Sequence, residues 1–297
     1  MSALTPIDLS RLPPPAAIEE LDYERILTEM RSVLLMLMPD AADVLDLESE
    51  PINKLLEVFA VRELMVRARV NDAARAVMLA TATGADLDNL AALLGVARHM
   101  IDAGDPEARP PRAAVYEDDG AFRYRAQLAI DGMSVAGPRA AYMYHALSAH
   151  ADVLDVSVDS PDPGTVRIAV LSRHGDGVPS PDLLSAVMAA CSAEEVRPLC
   201  DTVEVEPAGI IGYAIEAELV MLDGPDAAAV RAASIAAVTA YAAEIHRLGR
   251  AVRRSALMAA LHQPGVERVI LTAPAADIEI TGVQASWCTS IDVTVQP

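Results

Sequence analysis

The sequence is poor in lysine, aromatic residues and cysteine. Its basic side is 22 arginines and the single Lys54, set against 43 acidic residues, for a formal net charge of −20. A protein that covers nucleic-acid phosphate needs broad positive charge, so that class is excluded. The same deficit argues against docking on an anionic membrane. Aromatic residues make up 3%, namely seven Tyr, two Phe and one Trp; a site built on ring stacking would carry more. Cys191, Cys200 and Cys288 are odd in number and not closely spaced. They form neither a disulfide framework nor a zinc pattern and read as reduced thiols of a protein made in the cytosol. The longest strongly apolar run, Val33–Met38, is six residues, against the roughly 20 that span a bilayer. The first 20 residues hold no apolar core of a signal peptide, so neither export nor membrane insertion is expected.

Catalytic signatures are also missing. No histidine pair stands in an HExxH frame, and the sole lysine lies in a helical stretch, so no phosphate-loop lysine exists. There is no GxGxxG and no GxSxG elbow. His99, His145, His150, His174, His246 and His262 read as ordinary core or surface residues. Acid-rich strings such as Glu117-Asp118-Asp119 lack the ligand order of a calcium loop and suit turns and caps. No cofactor, metal or catalytic residue is therefore expected.

What is present is a globular composition, 53% hydrophobic and 22% charged. Ile7 to Pro15 reads as an extended arm, because Pro13-Pro14-Pro15 cannot continue a helix. A helix is predicted from Ala16 to Met38. Within it Tyr23, Leu27, Met30, Leu34 and Leu37 recur at spacings of 4, 3, 4 and 3, a heptad seam for a neighbouring helix of this chain or of a partner. A long helix is predicted from Pro51 to about Thr81. Ile52, Leu56, Phe59, Val66, Val70 and Val77 fall on one face, with Val61, Leu64, Met65 and Ala68 on another. A helix apolar on two faces must be covered on two sides. A short helix over Asp86–Leu94 follows, and Asp102–Ala114, rich in proline, reads as a linker, with Asp102–Pro111 a candidate hinge.

Beyond it the apolar period changes from 3.6 to 2. Helices are predicted at Asp119–Ile130 and Gly137–His150, then a hairpin of Leu154–Val158 and Val166–Val170, a helix from Ser180 to Ser192 and a strand at Val203–Val205. A second module begins with alternation from Ile211 to Met221, followed by an Ala-rich helix to Leu248, a helix from Arg254 to His262, and strands at Val266–Thr272, Asp277–Ile280 and Ile291–Val295. The phrase Arg139–Val158 recurs in spacing at Arg253–Leu271, which suggests a weak internal repeat; any helix-to-strand junction could look similar. The expected fold is α+β: long N-terminal helices forming a bundle region, then two small α/β modules with short mixed or antiparallel sheets. The expected domains are 1–110, 111–208 and 209–297.

The acids are spread out, whereas Arg247, Arg250, Arg253, Arg254 and Arg268 fall within 22 residues. Either this is a solvated helix end or a docking patch for an acidic surface, possibly another copy of the chain. Gly209 and Gly212, in the string PAGIIG, are candidate hinge residues between the modules.

Several collinear strings carry a resemblance. Ile7–Tyr23 (IDLSRLPPPAAIEELDY), Leu47–Ala80, Gly84–Leu90 (GADLDNL), Phe122–Gly137 (FRYRAQLAIDGMSVAG), Val196–Asp201 (VRPLCD), His246–Arg250 (HRLGR) and Ala260–Asp277 (ALHQPGVERVILTAPAAD) resemble the baseplate J-like protein family of contractile-tailed bacteriophages. The resemblance covers nearly the whole chain. It implies a structural wedge subunit of the baseplate, with two copies joining one copy of a second wedge protein. It also implies that N-terminal helices enter a bundle with that partner, and that C-terminal modules pair with like modules to close a ring around the hub and sheath-initiator proteins. On that reading the ring holds the sheath extended and releases it on host contact. The implied place is the baseplate of a virion or phage-tail-like particle, assembled in the bacterial cytoplasm. The rival readings are a tail assembly chaperone absent from the finished particle and a tail-associated hydrolase.

Overall fold

The computed structural model describes residues 7–296 except Pro14, Asp46, Glu48 and Pro225; the Pro14 part of the expected arm lies outside the described residues. The fold is mixed α+β, with small mixed sheets confined to the later part of the chain. It divides into two compact units, Met1–Ala97 with Asp119–Arg123 and Arg98–Asp118 with Tyr124–Pro297.

In the first unit α1 spans Tyr23–Leu37, α2 Ala42–Leu45, α3 Pro51–Ala76 and α4 Gly84–Ala92. Helix α1 starts seven residues later than its apolar pattern predicts. The Asn71 amide holds the backbone of Glu19, accepting from its N–H at 3.1 Å and donating to its carbonyl at 2.8 Å. That segment is thereby kept out of a helix, and the Asp22 carboxylate caps the new start by accepting from Arg25 N–H. A second buried asparagine, Asn53, donates to the carbonyls of Leu45 and Leu47 and anchors the chain entering α3. Asn53 and Asn71 are 18 residues apart, five helical turns, so they share one face of α3 with Ala60. Ile26, Leu27 and Ala60 form the buried contact between α1 and α3, with Tyr23, Met30, Leu56 and Leu64 around it. Helix α3 ends at Ala76, short of the predicted Thr81, whose hydroxyl bonds the Arg75 carbonyl.

In the second unit the predicted linker is an ordered hairpin. Strands β1 (Met100–Asp102) and β2 (Val115–Tyr116) pair antiparallel, and Asp105 and Arg112 exchange backbone hydrogen bonds at 2.8 Å. The Asp102 carboxylate accepts from Gly104 N–H and that of Asp105 from Glu107 and Ala108 N–H. Side-chain bonds of this kind build a tight turn where composition alone suggests a loose one. Gly104 has φ +69°, and the Arg112 carbonyl leaves no room for a Cβ there.

Helices α5 (Asp119–Gly132) and α6 (Arg139–Ala149) precede the first module sheet. Its strands β3 (Val153–Asp159), β4 (Thr165–Ser172) and β5 (Thr202–Pro207) lie in the order β3-β4-β5, with α7 (Pro181–Cys191) crossing between β4 and β5. β3 is antiparallel to β4 (Val156↔Val170) and β5 is parallel to it (Ile168↔Val205). Parallel pairing needs a crossover, and α7 supplies it. Tyr142, Val156, Ile168, Val187 and Cys191 fill this core.

The second module centres on β6 (Gly209–Met221). Helices α8 (Ala227–Ile245) and α9 (Arg254–Leu261) lead to β7 (Val266–Ala273), antiparallel to β6, and β8 (Gln284–Gln296) runs parallel to β6 on its other side. Ile215, Leu219, Val238, Leu257, Leu261 and Val293 form its core. Among the described residues α8 is the one helix long and apolar enough to cross a membrane, but Val230, Val238 and Ile245 pack into this core. The strand predicted at Asp277–Ile280 reduces to one bridge, Ile278 to Val252. The repeated phrase occupies matching places: α6–β3 and α9–β7 are each a helix followed by the antiparallel edge strand of its sheet.

Candidate functional site

Helices α1 and α3 bury only part of their apolar surface against each other. Tyr23, Leu27 and Met30, the first half of the heptad seam, pack onto α3 within the chain. Farther along, Leu34 and Leu37 line an open groove of about 700 Å³ with Ile26, Met30, Val33, Leu56, Phe59 and Val66. Glu29, Arg62 and Glu63 stand on its lips. A narrower hollow of about 270 Å³ continues it past Val66 and Val70 to Ala17 and Glu19.

Large side chains stay out of the core along this flank. Leu37 is 76% exposed, Phe59 58%, Val66 58% and Val70 54%; Ile52 is half-buried. Helical geometry places Ile52, Phe59, Val66 and Val70 on one stripe beside the face of the buried Ala60 and the half-buried Leu56 and Leu64, at about 100° per residue, and the exposed Val77 follows at the C-cap. The opposite flank carries a second exposed stripe of Val58, Val61 and Met65. Val33 and Met36 on α1 and Leu55 and Val58 on α3 are exposed apolar residues outside the expected set. Arg67, on the same helix, pairs with Glu63, with Glu19 at 3.4 Å and with Glu29 at 3.9 Å, tying α1, α3 and the entering segment beside the groove. The two asparagines that set this geometry escaped sequence reasoning. Their signal was two amides on the stripe that otherwise faces α1.

The five clustered arginines do not form one free patch. Arg253 pairs with Asp277 at 3.3 Å and with Glu279. Arg254 donates to the carbonyls of Pro274 and Leu271, and its N–H donates to Asp277. Both thus fasten the 274–279 segment. Arg247 is half-buried and bonds the His246 carbonyl. Arg250 and Arg268 are exposed. Gly209 and Gly212 lie inside β6, opposite Gln284 and Trp287 of β8.

No group of three or more His, Cys, Asp or Glu among the described residues could hold a metal ion. The three cysteines are free thiols, Cys191 buried, Cys288 half-buried and Cys200 exposed. Burial pushes the Cys191 thiol up to about 12, which leaves it inert.

The sequence matches known family models segment by segment. The family model described as Baseplate J-like N-terminal domain matches residues 48–105, the Baseplate J-like central domain residues 134–207, and the Baseplate J-like protein C-terminal domain residues 213–294. Baseplate protein J of Escherichia phage P2 is 49% identical over 292 residues, covering 97% of each chain. A chain in the cryo-EM structure of the anti-feeding prophage baseplate, 6-fold symmetrised, aligns with a TM-score of 0.40 at 18% identity, covering 61% of this chain and 44% of that one.

Proposed function

The chain belongs to the baseplate J-like family, and from that premise we propose that it is a wedge subunit of a contractile-tail baseplate whose α1–α3 groove receives a helix of a second wedge protein. The coarser statement, a structural protein of a phage baseplate, follows from the family. The finer one is carried by a single observation: an apolar stripe from Ile52 to Val77 left open beside a groove of about 700 Å³. Contiguous exposed apolar surface of this extent marks an interaction site. Its spacing suits a helix laid into a groove, with anchors at i, i+3, i+4 and i+7.

On this reading the chain works in three parts. Residues 1–110 bind the wedge partner, and 111–208 and 209–297 are the modules that meet further copies of the chain in a ring around the hub, next to the sheath initiator. The ring holds the sheath and then releases it. Self-pairing uses Arg250 and Arg268, since Arg253 and Arg254 are engaged within the module. The baseplate is assembled in the host cytoplasm and resides in the particle.

The test is to co-express the chain carrying Phe59→Asp and Val66→Asp with the wedge partner. Both side chains are more than half exposed, so the isolated chain should keep its stability within about 0.5 kcal/mol. Co-purification should be lost. A wild-type yield of complex from this variant would refute the groove assignment. Absence of the chain from purified particles by mass spectrometry would instead identify an assembly chaperone.

A further inference from the structure

The connection between the two module sheets is built to stay closed. Ala208 N–H donates to Val170 of β4 at 2.9 Å, and the next residue, Gly209, donates to Val283 at 3.0 Å, so the chain passes from one sheet to the other within one peptide. Leu171, Ala208 and Ala285 are buried together there, with Leu154, Ile210 and Leu248 packed against them. That small core belongs to both modules.

Asp155 spans it. The β3–β4 register shifts between Val153 and Asp155, and such an irregularity re-aims a side chain. The Asp155 carboxylate accepts from Val156 N–H at 2.9 Å and, with its other oxygen, from Leu248 N–H at 3.0 Å, 93 residues away in the second module. Leu248 bridges to Ala285, and Gly249 N–H donates to the Gln284 carbonyl at 3.0 Å, so the loop that Asp155 holds is itself tied to β8. On the same side a Cβ at Gly177, in the loop after β4, would meet the His246 ring at 2.9 Å. The His246 Nδ1 lies 2.6 Å from the Ser286 carbonyl.

We propose that Asp155 is a latch that fixes the two modules as one body, so that residues 207–212 join them without hinging. The groups facing it are consistent with this role. Burial raises the Asp155 carboxyl above the usual range, while the Leu248 and Val156 N–H groups and Arg247 and Arg250 favour its ionised form. A carboxylate held against burial by fixed donors on a second module serves to set geometry.

The test is a distance measurement on the full chain, independent of any partner. Spin labels go on Cys introduced at the exposed positions Glu195 and Glu267, one per module. Cys200 and Cys288 are changed to Ser, and the buried Cys191 remains. The native latch should give one narrow distance distribution by double electron–electron resonance. Asp155→Ala removes both acceptors and should broaden it or add a second distance. Asp155→Asn keeps one carbonyl oxygen and the packing, and should broaden it less. A broad distribution with Asp155 in place, or a folded variant of either kind as narrow as the parent, would overturn the proposal.

Discussion

Glu117 is 3% exposed, and its surroundings show how one residue organises a segment. Arg125 donates to both of its carboxylate oxygens, at 3.1 and 2.7 Å, and His99 N–H donates to it at 3.3 Å. Arg98 bonds its carbonyl at 2.7 Å. A buried pair of this kind is a weak source of net stability, but removing one partner strands a charge. The His99 ring lies beside it with Nε2 buried and unpartnered. Burial first, then Arg125 and Arg173, push its pKa below the ordinary value, against Glu117 and the Leu147 backbone. The sign follows: near pH 6.5 the unfolded chain takes a proton at this position that the folded chain refuses, so stability falls as pH drops through that range. The urea-unfolding free energy should therefore decline from pH 7.5 to 5.5, by no more than about 1.4 kcal/mol per pH unit from this group. His99→Gln should flatten that decline; an unchanged slope would show that His99 titrates as in the unfolded chain. None of this was legible in the sequence. Residues 102–114 read as a linker, which hid the hairpin that brings His99 and Glu117 together.

At the scale of elements, apolar periodicity located α1 and α3 but not where they begin and end. Boundaries were set by side-chain-to-backbone bonds that a hydrophobic pattern does not encode: Asn71 with Glu19, Asp22 with Arg25, Thr81 with Arg75. Asn71→Ala should cost about 1–3 kcal/mol, because the Glu19 amide and carbonyl lose their partner. The Glu19 amide should exchange faster by hydrogen–deuterium exchange while the α1–α3 core stays protected. Unaltered protection at Glu19 would mean that Asn71 does not hold that segment. The heptad seam was legible as a seam, but not how far this chain covers it: Tyr23, Leu27 and Met30 meet its own α3, while Leu34 and Leu37 open to the groove. Strand β8 reads only as Ile291–Val295 because Gln284–Ser290 mixes polar and small residues. Its pairing with β6 from Gly209↔Gln284 onward extends it, and tertiary pairing overrides weak strand propensity.

For the whole molecule, the net charge of −20 is opposite in sign to the broad positive surface that covers nucleic-acid phosphate. The fold class and the helix-to-strand order of the two modules were readable because they rest on periodicity, which sequence displays directly. Whether the clustered arginines were free was not readable, since it depends on Asp277 and Glu279 folding back onto Arg253. The open flank of α3 is what a monomeric protein avoids and an assembly subunit needs. The most direct test is hydroxyl-radical footprinting of Phe59, 58% exposed in the isolated chain, with Phe122, 0% exposed, as an internal standard. In assembled baseplates the reactivity of Phe59 should fall to the level of Phe122. Reactivity unchanged from that of the isolated chain would show that the groove stays empty in the particle, and the central claim would fail.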